Sequence, residues 1–168
     1  MSNTRPLVIG ALFTIMAALF QSLPVIFSEV FVLFTIFSAI PIYIVARINP
    51  KAGVLSYLVA AMLIMIISTH EGLFFLFTNG VIGCSLGISS SYTNKKAIIC
   101  ASSSIILTVT LSIMNYGIGI PVFGTKLPGA LYLQLFILFL FSVLYNVIYS
   151  YLGDFIYKKL VKYNVFRK

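Results

Sequence analysis

The sequence predicts an all-α polytopic membrane protein, a single integral domain over residues 1–168 with six transmembrane helices and both termini cytoplasmic. Three observations carry that expectation. Of the 168 residues, 61% are hydrophobic and 8% are charged, with a mean hydropathy of +1.11. A soluble domain of this length has too little interior to bury so much apolar surface, so lipid must be its solvent. The apolar residues fall into runs of membrane length separated by short polar or Gly- and Pro-bearing connections, and the cations sit almost entirely on alternate connections.

The first span, about 7–23, follows Arg5 and has Pro24 near its outer end. It could pass for a signal peptide, but no small-x-small cleavage site precedes a soluble domain, so the expectation is a retained span. Gly10, Thr14, Ala18 and Ser22 recur at every fourth residue. They form a small-residue stripe that lets another helix approach closely, either inside the bundle or on a separate subunit.

The second span, about 30–46, follows a very short connection holding Ser28 and Glu29. It ends in the basic turn Arg47-Ile-Asn-Pro-Lys51, where Pro50 disfavours helix at Asn49 and Gly53 lets the third span, about 53–69, start close against its neighbour. The third span closes on His70-Glu71. The fourth, about 72–90, contains Asn79-Gly80 and the close-packing pattern Gly83-x-x-x-Gly87, and reads as a packed inner helix.

The polar, basic stretch from Ser89 to Lys96 reads as a cytoplasmic loop. The fifth span, about 97–115, carries Ser104, Thr108 and Ser112 at successive i+4 positions, hydroxyls that either bond their own helix or line a polar cavity. The segment Tyr116–Gly129 is the longest connection. It is rich in Gly and Pro yet keeps apolar and aromatic residues, which predicts a folded external lid. The sixth span, about 130–157, continues past the bilayer to about Leu160 and ends among Lys158, Lys159 and Lys162. Asp154 stands four residues before Lys158, the spacing of a surface helix pair.

Charge tests the orientation. The net charge of +8 would suggest nucleic acid in a soluble protein, but here the cations flank apolar spans, and topology and anionic headgroups explain them without a nucleic-acid partner. With both termini inside, Arg5, Arg47, Lys51, Lys95, Lys96, Lys158, Lys159, Lys162, Arg167 and Lys168 are cytoplasmic, and of the 11 cations Lys126 alone is external.

Catalytic patterns are missing. The sequence has a single His, no helical pair of metal ligands, no paired carboxylates and no nucleotide-binding loop, so the expectation is a non-enzyme without cofactor or metal. Cys84 and Cys100 fall in apolar segments and read as buried thiols. None of the acids lies at mid-membrane, which disfavours a proton- or ion-coupled carrier. Polar groups gather instead toward the outer half: Glu29, His70, Glu71, Asn79, Asn115, Tyr116, Lys126, Tyr132 and Gln134. A small-molecule pocket under the lid would collect them. Asn79, Asn115 and Gln134 are its strongest candidates, since amides at membrane depth need partners.

Three stretches resemble the substrate-binding S components of energy-coupling factor (ECF) vitamin importers. They are Gly10-Ala-Leu-Phe-Thr-Ile-Met-Ala-Ala18, the turn Pro50-Lys-Ala-Gly53 with Leu-Val-Ala-Ala after it, and Gly80 to Gly87. The resemblance covers the length and topology of the chain. It implies an S-component-like bundle in a bacterial plasma membrane that captures a vitamin or similar micronutrient from outside. Its partners would be a transmembrane coupling subunit and two ABC-type ATPases. The family's small-residue contact with the coupling subunit would map onto Gly10, Ala11, Thr14, Ala17 and Ala18. The strict Ala-x-x-x-Ala form is absent and the first link is short, so no ligand is assigned. Size and topology fit a second reading, a non-transport scaffold of a cell-envelope or cell-shape complex.

Overall fold

The computed structural model describes residues 4–124 and 128–163, with side chains from residue 8 onward. The regular structure among the described residues is helical, with no strand, and six helical runs are long and apolar enough to cross a membrane. Helix α1 is Thr4–Ile26. A 3-10 helix, Glu29–Ser38, continues as α2, Ala39–Ile48; α3 is Pro50–Ile67; α4, Thr69–Phe77, and α5, Asn79–Tyr92, share one span. Helix α6, Lys96–Ser112, passes into a π-helical segment, Ile113–Ile118, and α7 is Leu131–Lys162. At 1.5 Å per residue the 32 residues of α7 reach about 48 Å, well beyond a hydrocarbon core of ~30 Å.

The hairpin between α2 and α3 follows from its local sequence. Asn49, held extended (φ −146°, ψ 106°) before Pro50, ends α2 and caps α3. Its Oδ1 accepts hydrogen bonds from the amides of Lys51 (3.1 Å) and Ala52 (3.3 Å), two of the donors that a helix start leaves unpaired. Gly53 then lies against α2 so closely that a Cβ there would sit 2.3 Å from Ala46 Cα.

The inner helix is where the glycines place it. The α4–α5 span has 61% of its apolar window buried inside the bundle, against 17% for α7. Helix α5 packs along α2, with Gly83 against the Ala39 carbonyl and Gly87 against the Tyr43 carbonyl; a Cβ would meet those oxygens at 2.3 and 2.6 Å. Between the two helices backbone meets backbone, the packing that small residues permit in lipid. Around this pair, Ala39, Ile40, Tyr43, Ile44, Ile82, Leu86, Leu107, Leu111 and Leu138 form one core. Ala17, Ala18, Ile42, Ala60, Ile64 and Phe75 form a second.

The small-residue stripe of α1 faces this interior. Thr14, Ala17, Ala18, Gln21 and Ser22 are all buried within the chain's own bundle, Gly10 is half-buried, and Ala11 points outward. The wide apolar surfaces of α1, α3, α6 and α7 remain uncovered, as a lipid solvent requires.

Three spans depart from α-helix, all in one half of the bundle. The 3-10 stretch runs ten residues, far longer than this geometry usually persists. The fourth span, read from sequence as one helix over 72–90, breaks at Thr78 (φ −124°, ψ −96°). The π-helical segment closes α6. Irregular backbone at membrane depth is tolerated where protein buries it or where it lines a cavity, and the latter applies to the 3-10 helix and to the break at Thr78.

Candidate functional site

The 3-10 helix and the broken fourth span border a cavity of about 290 Å³. Its walls come from every span except α3's: Gln21 from α1, Val32 and Thr35 from the 3-10 helix, and His70, Glu71, Phe74, Thr78, Asn79 and Ile82 from the broken span. Leu107 and Leu111 of α6, Val122 of the long loop, and Phe141 and Tyr145 of α7 complete the walls.

One side is a hydrogen-bond network centred on Gln21. Its Nε2 donates to Glu71 Oε2 (2.7 Å), while its Oε1 accepts from Ser38 Oγ (2.9 Å) and Asn79 Nδ2 (3.0 Å). Asn79 Nδ2 also donates to the Thr35 main-chain carbonyl (3.1 Å). Both amide orientations are forced, since a carboxylate and a main-chain carbonyl only accept. The network ties α1, the 3-10 helix and both halves of the broken span together. Helix α4 itself is started by Ser68, whose hydroxyl accepts from the Glu71 amide (3.4 Å).

The opposite wall is aromatic and apolar. Phe141 stacks on Tyr145 at 5.1 Å (22°), and Phe123 of the loop meets Phe141 edge-on at 5.1 Å. Val122 reaches the core from the same loop, and its amide donates to Asn115 Oδ1 (3.4 Å). Among the described loop residues Val122 lines the cavity, and Phe123 packs beside it on Phe141.

Of the sequence-predicted residues, the structure brings His70, Glu71 and Asn79 to the cavity. Asn115 braces the lid instead. Tyr116 donates to Gln134 Oε1 (2.7 Å), and Gln134 Nε2 donates to the Gly129 carbonyl (2.9 Å), so this pair anchors the lid where it joins α7. Tyr132 is 78% exposed and Glu29 is exposed at the start of the 3-10 helix. Lys126 lies outside the described residues. Gln21, Thr35, Thr78 and Tyr145 were missed. A signal for Gln21 was present: it is an amide inside an apolar span, one turn beyond Ala17 and two beyond Thr14, hence on the stripe's own face.

The far end of the bundle is built differently. Asp154 is not a helix-surface partner of Lys158; its carboxylate pairs with Arg47 and Lys96 and accepts from Tyr43 Oη (2.7 Å). Tertiary packing overrides the i,i+4 spacing because α2 and the start of α6 converge on this face of α7. The Arg47 guanidinium lies 4.2 Å over the Tyr157 ring, and Lys96 Nζ lies 4.8 Å over Tyr151. This cluster brings the basic ends of α2 and α6 together with the late part of α7, at the end away from the cavity.

Among the described residues no three of His, Cys, Asp and Glu come together as a metal site, and Cys84 and Cys100 are free. Comparison with protein-family models, curated proteins and solved structures finds no match to this chain. The case for a function rests on the residues and their geometry.

Proposed function

We propose that this chain is the solute-capturing membrane subunit of an importer, acting in the manner of an ECF S component. The observation that carries the reading is the cavity, bordered by Val122 of the long loop and walled by Gln21, Glu71 and Asn79. It combines apolar body and convergent polar groups in the way small-molecule sites do.

The orientation belongs to the same proposal. Arg47, Lys51, Lys95, Lys96 and the Lys158–Lys162 run mark the cytoplasmic face of a bacterial plasma membrane, with both termini inside. The cavity, at the other end, then opens outward. Capture is non-enzymatic, and energy comes from a coupling subunit with two ABC-type ATPases. Because Thr14, Ala17 and Ala18 are already packed inside the bundle, such a subunit would meet α1 on the side that Ala11 presents.

Affinity purification in mild detergent from a bacterial host, with protein and metabolite mass spectrometry on one eluate, tests the proposal. The expected result is a stoichiometric small metabolite together with a coupling subunit and ATPases. Val32→Trp, which fills the cavity from the exposed 3-10 helix, should abolish metabolite retention and leave the partners. Envelope-assembly proteins without a metabolite would overturn the proposal in favour of a scaffold.

A further inference from the structure

The hydrogen-bonding state of the cavity wall narrows what it can hold. Asn79 has both amide hydrogens committed, to Gln21 and to the Thr35 carbonyl, so it offers the cavity its carbonyl oxygen. The hydroxyls of Thr35 and Thr78 donate to the carbonyls of Val32 (2.7 Å) and Phe74 within their own helical turns, which leaves them free only to accept. Glu71 has one oxygen on Gln21 and the other to spare. Acceptors therefore outnumber donors. The Tyr145 hydroxyl is already hydrogen-bonded to Tyr149, whose own hydroxyl donates to the Ile36 carbonyl. What remains on the donor side is the second Gln21 amide hydrogen together with His70, and among the described residues no Lys or Arg lines the cavity.

An anionic ligand would face the Glu71 carboxylate with no Lys or Arg among the described lining residues to balance it. A neutral acceptor would compete with oxygens that already lack donors. A cation rich in N–H groups meets both conditions, and the rings of Phe74, Phe141 and Tyr145 suit a flat apolar body carrying positive charge. Building on the reading of the cavity as a solute site, we propose that its ligand is an organic cation, a protonated amine or comparable donor-rich group on a flat apolar body. Glu71 and the Asn79 carbonyl hold the charged end.

Three probes that share one ring system and differ in the charged end test this by calorimetry on the full chain in lipid nanodiscs: tryptamine, tryptophol and indole-3-propionate. Tryptamine should bind at least about tenfold tighter than tryptophol, the scale of one hydrogen bond to a charged group, and indole-3-propionate should be weakest. Glu71→Gln keeps an acceptor for Gln21 and should bring tryptamine down to the tryptophol level without changing tryptophol. If that variant does not fold, the order of the three probes on the unaltered chain decides. Tighter or equal binding of the alcohol or the acid, or a tryptamine preference that survives Glu71→Gln, would overturn the ligand class while leaving a solute site in place. No binding of any probe at millimolar concentration would overturn this ligand class, while the solute site itself stands or falls with the metabolite recovered on purification.

Discussion

Gln21 and Ser22 are neighbours on α1, both buried, and only the first should lose stability when an apolar residue replaces it. Gln21 holds three partners, and replacing it by Leu strips Glu71 of its partner and leaves a buried acceptor network half-satisfied. A loss of ~1–2 kcal/mol is expected, because interhelical bonds in membranes average only about 0.6 kcal/mol but orphaned buried groups add to that. Ser22 Oγ is buried without a partner, so Ser22→Ala should leave the melting temperature unchanged or raised. Thermal unfolding in detergent measures both. Asp154→Asn belongs to the same scale: it leaves Arg47 and Lys96 facing each other without their shared counter-charge, and a fall of about 1–3 kcal/mol is expected by the same assay. The value stays modest because Lys96 is 42% exposed and its share is screened by water.

Among the elements, α5 depends on its glycines and the lid on its aromatics. Gly83→Leu puts a side chain where the Ala39 carbonyl already sits, so α2 and α5 must separate, and the expected outcome is failure to accumulate a monodisperse protein on size-exclusion chromatography. Phe123→Ala removes only the edge contact with Phe141 on an exposed ring. It should leave folding intact and speed proteolytic cleavage within the Tyr116–Gly129 loop. The hairpin at Asn49-Pro50 and the inner place of the fourth span were legible in sequence, since each depends on residues within a turn or two of one another. The ten-residue 3-10 stretch was not: the β-branched and aromatic residues of Glu29–Ser38 weaken α-helix but do not select 3-10 geometry, and the segment lies packed against α1.

For the whole molecule, the separation of a cationic end from a cavity end makes the orientation testable. In a background with Cys84 and Cys100 replaced by Ala, Lys51→Cys and Lys95→Cys should react with a membrane-impermeant maleimide only after the membrane is opened. Tyr132→Cys should react in intact cells. The reverse pattern would turn the cavity toward the cytoplasm and remove the case for uptake from outside.

Composition, run length and the placement of Pro, Gly and cations determined by themselves that this chain is a bundle of six membrane-length helices. Each of those properties is local or additive along the chain. The resemblance to S components likewise came from short stretches, and it pointed to α1's stripe as a docking face. Only the tertiary structure decided that Thr14, Ala17 and Ala18 face inward, that Asp154 answers to Arg47 and Lys96, and that Gln21, Glu71 and Asn79, from three distant segments, form one wall. Helical spacing shows which residues share a face but not which neighbour that face meets. In lipid, where apolar surface is satisfied on either side, close backbone packing and a few hydrogen bonds make that choice.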